Sequence, residues 1–413
     1  MSNWKFNRGE WSEAYVFLRL LGIGRIYGMD ENWQKNHQVY LDIVNVLRSE
    51  ANNVLNFQRT KLGECPCSIE ISENDIEISI RASEEFNRFA DILYNNIKSA
   101  NTTTFEVPQA ESFLKNNGII SPKANLSNNF KNRYGKKSDI VFTAAESISG
   151  FKSTTGYSIK SHFGKPPTLY NASKGSGFIF RLLNCNDDSI MHKINATKEL
   201  RKKITYMKQN CIELEYVNTK SVELRENLQF IDTNMDKILS SMLLLRYGYY
   251  DIIPESSRLS DIVPSLAIIN PLNISRRNSL YFYKAKLKEL LFDSFAGMTA
   301  VKPWNGEREI NGGYIDVDQE GQILFCRAIS DNSFMSYLYE HTYVTEPGSG
   351  VNKAIAFAKA KAVLAGRDFT EDDLRAIAID SKGKTKPVKG DYGYVYKFGN
   401  EYRFDMNFQI RIN

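Results

Sequence analysis

The chain has no long apolar run. No stretch of eighteen or more apolar residues occurs, and the first residues, MSNWKFNRGEW, lack the apolar core of a secretory signal. A membrane-spanning helix needs about 20 apolar residues, and a signal peptide needs an apolar segment near the N-terminus. The sequence therefore predicts a cytoplasmic protein with no membrane partner.

Cysteine and histidine are also scarce. The five cysteines are an odd number in a large chain, which favours reduced thiols over a disulfide framework. Cys65 and Cys67 form only a C-x-C pair, and the four histidines are scattered along the sequence. Zinc sites need four ligands at characteristic spacings, so no structural zinc is expected.

The composition is that of an ordinary globular protein. Of the 413 residues, 42% are hydrophobic and 24% charged, which is enough for two or three domains with substantial cores. The net charge of +5 permits a polyanionic partner without requiring one. Basic residues cluster at 131–137, at 198–203 and at 276–277, although such runs are most often solvated surfaces.

Periodicity predicts an α/β core followed by two other regions. A helix is expected from about residue 10, ending at Gly22 or Gly24, then a hairpin over 67–81 and a helix over 83–99. Residues 187–300 are mainly helical in pattern, including 227–250 and 279–300, and hairpins are expected over 312–329 and 392–413. The predicted division is a core over 1–180, a helical region over 181–300 and an α+β region over 301–413.

The most informative stretch is TGYSIKSHFGKPPTLYNAS, over residues 155–173. Strand alternation places Ser158, Lys160 and His162 on one face. Asp139 lies in an upstream apolar run that is typical of a neighbouring strand, and antiparallel pairing would bring its carboxylate to the same sheet face as Lys160. A carboxylate that binds Mg²⁺ beside a lysine that stabilises developing charge is the minimal equipment of a metal-dependent phosphodiesterase.

Asp139 followed by Ser158-Ile159-Lys160 resembles the catalytic signature of the PD-(D/E)XK nuclease superfamily, which implies a mixed sheet flanked by helices. Ser158 stands where that signature has its second acidic residue, and a hydroxyl cannot replace a carboxylate as a ligand of a hard cation. Another acid is then required. Glu13, in a Gly9-x-x-x-Glu13 pattern similar to one that several superfamily members carry, is the first candidate, and Glu10 is the second. Both glutamates also suit the first turn of a helix for electrostatic reasons alone.

Three blocks in order resemble the HpaII family of type II restriction endonucleases. They are RGEWSEAYVFLRLLGIGRIYGMD, GYSIKSHFGKPPTLYNAS, and NGGYIDVDQEGQILFCRAI with the closing FDMNFQIRIN. The resemblance implies Mg²⁺-dependent double-strand cleavage of unmethylated DNA at a CCGG-type site, a homodimer, and a cognate methyltransferase as functional partner. In site residues it implies Asp139 with Glu13 or Glu10 as catalytic acids, Asp139 and Glu13 as metal ligands, and Lys160 as the catalytic lysine. The helical pattern from Val351 to Ile379 is expected to be extra length relative to the family.

The polar turn after the strand suits DNA-backbone binding. Ser161, Lys165, Thr168, Asn171 and Ser173 supply hydrogen-bond donors next to a stiff Gly/Pro segment, and such groups position DNA without reading its sequence. The alternative is a polar loop that only ends the strand. For His162, a structural hydrogen bond is favoured over a phosphate contact.

Two further interpretations remain open at this point. Because Ser158 occupies an acidic position, the chain could be a DNA-binding protein on a nuclease-like scaffold that has lost catalysis, or an unrelated soluble α/β protein. Guanine recognition would call for arginine or lysine in the major groove, with Arg276, Arg277 and Arg327 as candidates. Asp316 and Asp318 sit beside a hairpin turn, where exposed acids are common, and are not assigned a role.

Overall fold

The computed structural model describes most of the chain: residues 4–30, 34–50, 53–123, 127–147, 149–164, 166–170, 175–197, 199–309, 311–327, 331–345, 366–368, 370 and 392–412. It separates into two compact units, one of Met1–Pro167 with Arg308–Tyr337 and one of Thr168–Glu307 with Leu338–Asn413. These units divide the chain differently from the ranges 1–180, 181–300 and 301–413, which stay a functional prediction. Sheets and helices alternate in both units, which confirms a mixed α/β protein.

The first unit is built on one large sheet with helices against it. Its helices are α1 (Arg8–Ile23), α2 (Ser83–Ser99), α3 (Pro108–Asn116) and α4 (Asn128–Tyr134). Its strands are β1 (Phe6–Asn7), β2 (Arg25–Met29), β3 (Lys35–Glu50), β4 (Asn53–Arg59), β5 (Ser68–Glu73), β6 (Ile76–Ala82), β7 (Thr104–Phe105), β8 (Ile140–Glu146) and β9 (Lys152–Ser161). Two strands that lie far later in the sequence, here numbered in chain order as β13 (Gly313–Val317) and β14 (Ile323–Arg327), complete it.

Nine strands of this unit pair in the order β2-β14-β13-β9-β8-β3-β4-β5-β6. The long strand β3 pairs with β8 along one edge, while β2 and then β4 share its other edge. Since β2 also pairs with β14, six strands form a closed circuit in which β9 has a partner on both sides. At the far end β6 is an edge strand, and its outward side chains Ile76, Ile78 and Ile80 are exposed.

Helix α1 begins and ends where its sequence signals it. The Asn7 side chain accepts a hydrogen bond from the Glu10 N–H at 3.0 Å, and the Glu10 carboxylate accepts one from the Asn7 N–H at 3.0 Å. This reciprocal cap satisfies backbone donors that the first turn would otherwise leave unpaired. Gly24, with φ 75°, ends the helix in the left-handed conformation that glycine adopts without steric cost. The predicted helix over this segment is confirmed.

The core of the first unit lies between α1, α2 and one face of the sheet. It is apolar and rich in aromatic rings, with Trp11, Tyr15 and Phe17 of α1 all 1% exposed or less. The predicted hairpin over 67–81 is confirmed as β5 and β6, joined at Asn74 and Asp75, both with positive φ. The predicted helix over 83–99 is confirmed as α2. Burying the aromatic face of α1 fixes that helix against the sheet.

The second unit contains the predicted helical region and the end of the chain. Its helices are α5 (Asp188–Ala196), α6 (Leu200–Gln209), α7 (Val222–Gln229), α8 (Met235–Arg246), α9 (Leu259–Ile269) and α10 (Ser279–Ala296), and α11 (Asp331–His341) begins in the first unit. Its strands are β10 (Thr168–Tyr170), β11 (Gly177–Leu183), β12 (Glu213–Thr219), β15 (Thr342–Thr345), β16 (Val395–Phe398), β17 (Glu401–Asn407) and β18 (Gln409–Ile412).

Two expectations for this region are corrected. Residues 227–250 do not form one helix, because α7 ends at Gln229 and α8 begins at Met235, after a turn in which the Asp232 carboxylate accepts a hydrogen bond from the Asn234 N–H at 2.9 Å. Side-chain acceptors of this kind compete with helical hydrogen bonds. The region also contains β12, which pairs with β11. The predicted closing hairpin is confirmed as β16 and β17, and the helical pattern over 351–379 lies almost entirely outside the described residues.

Within the part of the chain that the structure describes, no helix combines the length and the apolar character that crossing a membrane would require.

Candidate active site

The candidate site forms around β9, which lies between β8 and β13 in the closed circuit. Strands β8 and β9 are antiparallel, with Ile140 opposite Tyr157, which confirms the predicted pairing. The next position along places Asp139 beside Ser158. Alternation then puts Lys160 on the same face of β9 as Ser158, so the aspartate and the lysine meet at one end of the strand pair.

Asp139 is held at three points. Its N–H donates to the Tyr157 carbonyl at 2.8 Å, and its Oδ2 accepts hydrogen bonds from the Ile159 N–H at 2.8 Å and from the Ser158 hydroxyl at 3.1 Å. Two hydrogen bonds to one oxygen hold the carboxylate in one orientation. Ser158 is therefore a donor that orients Asp139. Both of these hydrogen bonds go to Oδ2.

Lys160 is partly buried beside these groups. Burial lowers the pKa of its ammonium group, because removing a charge from water disfavours the charged form. The Asp139 carboxylate opposes that shift, the Lys137 ammonium adds to it, and the Glu13 carboxylate opposes it, leaving the pKa below its ordinary value. The pKa of Lys160 therefore depends on the charges of Asp139, Glu13 and Lys137.

The two helix glutamates have different surroundings. Glu10 closes the cap of α1 through its carboxylate, as described above. Glu13, one turn further along, is partly buried and close enough to Lys160 to act on its pKa. Between them in sequence, the buried Ser12 hydroxyl lies 2.8 Å from the Ser161 hydroxyl, in a hydrogen bond that fastens α1 to the end of β9. Of the two glutamates, Glu13 is the one whose charge acts on the pKa of Lys160.

The predicted DNA contacts are distributed over two units. Ser161 already has Ser12 as a hydrogen-bond partner. Thr168 belongs to the second unit, where its hydroxyl accepts a hydrogen bond from the Gln409 side chain at 3.3 Å. Lys165, Asn171 and Ser173 lie outside the described residues. The role of all five in DNA binding stays a prediction.

Asp316, an acid to which the sequence assigned no role, lies beside Lys160. Strand β13 runs parallel to β9, with Asp316 in register with Lys160. The Asp316 carboxylate lies 2.9 Å from His162 Nε2. The alternation in GGYIDV placed Asp316 on a strand but gave no sign of its partner. Lys137 is a second residue whose place near Lys160 the sequence did not predict. It lies in the basic run 131–137, for which a solvated surface was the favoured interpretation, and its charge lowers the Lys160 pKa.

Gly156 allows the loop before β8 to approach the strand. A Cβ atom at this position would overlap the Ser138 side chain and the Tyr134 carbonyl oxygen. The Ser138 hydroxyl donates to that same carbonyl at 2.6 Å, which fixes the turn immediately before Asp139. A glycine is needed here because the backbone of the turn packs directly on β9.

The donor set fits a hard divalent cation. The carboxylates of Asp139 and Glu13 could supply oxygen ligands, and Mg²⁺ is usually held by one or two carboxylates together with water and substrate phosphates. Among the described residues no group of three or more histidine, cysteine, aspartate or glutamate side chains is arranged to hold a metal. A Mg²⁺ site of this kind needs only one or two carboxylates from the protein, because water and substrate phosphates supply the other ligands.

Comparison with known proteins agrees with this chemistry. The sequence model of the HpaII restriction endonuclease family matches residues 7–354. A type II restriction enzyme, HpaII from Haemophilus parainfluenzae, is 29% identical over 406 residues, which cover 98% of each chain. The family model ends at residue 354, before most of the segment from Val351 to Ile379, so the extra length expected there stays a prediction. No solved structure matches the chain. Since the family match covers most of the sequence, the chain belongs to the HpaII restriction endonuclease family and is a type II site-specific deoxyribonuclease.

Proposed function

We propose that the chain cuts both strands of DNA by Mg²⁺-dependent phosphodiester hydrolysis at the site formed by Asp139, Glu13 and Lys160. The observation that carries the proposal is the arrangement around Lys160. The oriented Asp139 carboxylate and the Glu13 carboxylate both raise the pKa of one partly buried lysine at the end of a strand pair. We further propose that the nine-stranded sheet and its helices are a PD-(D/E)XK core.

Each residue has a distinct task in this proposal. Asp139 and Glu13 would hold the cation, which when bound polarises the phosphoryl group and activates water. Ser158 and the Ile159 N–H keep the Asp139 carboxylate in one orientation. Lys160 assists the attacking water and stabilises the negative charge that develops on the phosphate, leaving 3′-hydroxyl and 5′-phosphate ends.

The substrate is double-stranded DNA, and we propose an unmethylated CCGG-type palindrome as its target. A two-fold symmetric target favours a homodimer with one site for each strand. A methyltransferase that modifies the same sequence would protect the DNA of the host cell, and the enzyme would act in the cytoplasm. The methyltransferase is a functional partner and need not touch the enzyme.

Guanine recognition is proposed for arginines of the second unit, which also contains most of the region 301–413 that is proposed to contribute to DNA recognition. Arg276 and Arg277 are exposed just before α10, where their side chains could reach guanine O6 and N7. Arg327 is less suited, because its guanidinium is paired with the Glu146 carboxylate at 2.6 Å. An arginine already bound to a carboxylate has to break that pair before it can bind a base.

The experiment is digestion of unmethylated plasmid DNA by purified protein, with Mg²⁺ or with EDTA, followed by mapping of the ends. We expect discrete fragments that require Mg²⁺. Asp139→Asn and Lys160→Ala should abolish them, while Lys152→Ala, at the exposed start of the same strand, should leave them unchanged. Digestion of a plasmid methylated at the mapped site tests the protection.

Contradictory outcomes are specific. Cutting by the Lys160→Ala variant at the normal rate would remove Lys160 from the mechanism. Retardation of DNA in a gel without cleavage under any divalent metal would contradict the metal-dependent reaction. Cleavage at full rate in EDTA would contradict the role of the cation but not the other parts of the proposal.

A further inference from the structure

His162 and Asp316 form an ion pair that the proposed reaction does not use. His162 Nε2 lies 2.9 Å from Asp316 Oδ1, and the His162 N–H donates to the Val317 carbonyl at 2.8 Å. The imidazole follows β9 directly, while the carboxylate comes from β13. The pair therefore joins the strand that carries Lys160 to its parallel neighbour.

The pair stands next to Lys160 and reaches solvent. Asp316 is in register with Lys160, and its carboxylate bonds to His162, which lies one residue past the end of β9. Two residues along a strand span about 7 Å, which is close to the separation of neighbouring phosphates on one DNA strand. The side chains of His162 and Asp316 are 19% and 16% exposed, so a ligand bound at Lys160 could also touch the imidazole.

The surroundings favour a positive charge on His162. Burial lowers the pKa of its imidazole, but the hydrogen bond to Asp316 and the charge of that carboxylate raise it, and the charge of Asp318 adds to the rise. The net pKa lies above the ordinary value. Because Nε2 is committed to Asp316, the imidazolium keeps its Nδ1–H as the donor for a second partner.

We propose that His162, oriented by Asp316, binds the DNA phosphate next to the one at Lys160 and so positions the substrate for cleavage. The inference rests on the proposed function, since it takes DNA bound at Lys160 as given. His162 would touch the substrate, and Asp316 would be a positioning residue that acts through it. The contact is made by the protonated imidazole and is lost when the proton leaves.

The test measures binding of a fluorescent duplex that carries the site mapped by plasmid digestion, with Ca²⁺ in place of Mg²⁺. Dissociation constants are measured at about pH 6 and about pH 8, on either side of the ordinary histidine pKa, and over a series of salt concentrations. We expect binding to weaken roughly tenfold between the two pH values beyond any change in the His162→Gln variant. At the lower pH that variant should lose about one unit of the slope of log K against log salt.

Three further variants separate a phosphate contact from a structural pair. His162→Lys keeps a permanent charge and should restore binding while removing its pH dependence. Asp316→Asn should move the pH transition of binding to lower pH, in step with the His162 pKa measured by NMR in the free protein. His37→Gln, at an exposed histidine of β3, is the matched control and should bind like the unmodified protein.

Two results would overturn the inference. If His162→Gln and Asp316→Asn lower the melting temperature but leave the dissociation constant, its pH dependence and the salt slope unchanged, the pair only fastens β9 to β13. If His162→Lys binds no better than His162→Gln, charge at this position does not matter. Failure of the proposed function is recognised separately, because the digestion would then yield no site at all.

Discussion

Replacing Ser158 by alanine tests what the serine in the acidic position does. Its hydroxyl is one of two donors to Asp139 Oδ2, at 3.1 Å, and the other donor is the Ile159 N–H at 2.8 Å. Ser158→Ala removes the first donor and cannot remove the second, which belongs to the backbone. We therefore expect an Asp139 carboxylate that is still present but less firmly oriented.

The size of the effect follows from that geometry. A hydrogen bond to a charged group contributes about 1.5–3 kcal/mol, and each 1.4 kcal/mol is about tenfold in rate. The cleavage rate of Ser158→Ala should fall by about ten- to a hundredfold. Asp139→Asn, which removes the carboxylate charge and a proposed cation ligand, should be inactive in the same assay.

The measurement is the single-turnover rate of plasmid cleavage with Mg²⁺ and excess enzyme, beside DNA binding in Ca²⁺. Ser153→Ala is the matched control, because Ser153 lies on the same strand opposite Ala144 and makes no side-chain hydrogen bond to the described residues. A Ser158→Ala variant as inactive as Asp139→Asn would mean that the hydroxyl itself takes part in the reaction. An unchanged rate would mean that the backbone donor alone orients the carboxylate.

Three other outcomes are expected. Glu13→Gln should abolish cleavage with DNA binding in Ca²⁺ retained. Glu10→Gln should keep cleavage and cost about 0.3–1 kcal/mol of stability, because its amide oxygen can still accept from the Asn7 N–H but the negative charge at the start of the helix is gone; the opposite pattern would exchange their roles. Gly156→Ala should lower the free energy of unfolding by about 1–3 kcal/mol, measured by urea denaturation, since a methyl group has no space against the turn before Asp139. Ile71→Ala, at a fully buried site, should cost about 2–5 kcal/mol, while Ile78→Ala on the exposed side of the edge strand should change stability by about 0.5 kcal/mol or less; equal losses would contradict the burial of one and exposure of the other.

Local patterns in the sequence were sufficient for the parts of the site that are close along the chain. Helix α1, the β5–β6 hairpin and the pairing of β8 with β9 follow from periodicity and turn residues, because each depends on contacts between neighbouring segments. The meeting of Asp139 and Lys160 was predictable for the same reason. The capping role of Glu10 was also accessible, since asparagine followed three residues later by glutamate is a helix-start pattern.

The remaining features depend on contacts between distant segments. Nothing near Asp316 in the sequence reveals that β13 runs parallel to β9, so its place beside Lys160 and its bond to His162 could not be predicted. The closure of the circuit by β2 and β14 is of the same kind. The break between α7 and α8 was missed because the apolar periodicity continues through a turn that a single aspartate side chain stabilises.

The closed circuit of strands also determines how late during synthesis of the chain its large sheet can be completed. Strand β9 has a free edge until β13 is made, and the circuit closes only when β14 reaches β2, so the chain must be synthesised past Arg327 first. Contacts between such distant segments form late, because a long loop has to close before they stabilise the fold. A nascent chain that already carries Asp139 and Lys160 therefore lacks the closed sheet around them until β14 is made.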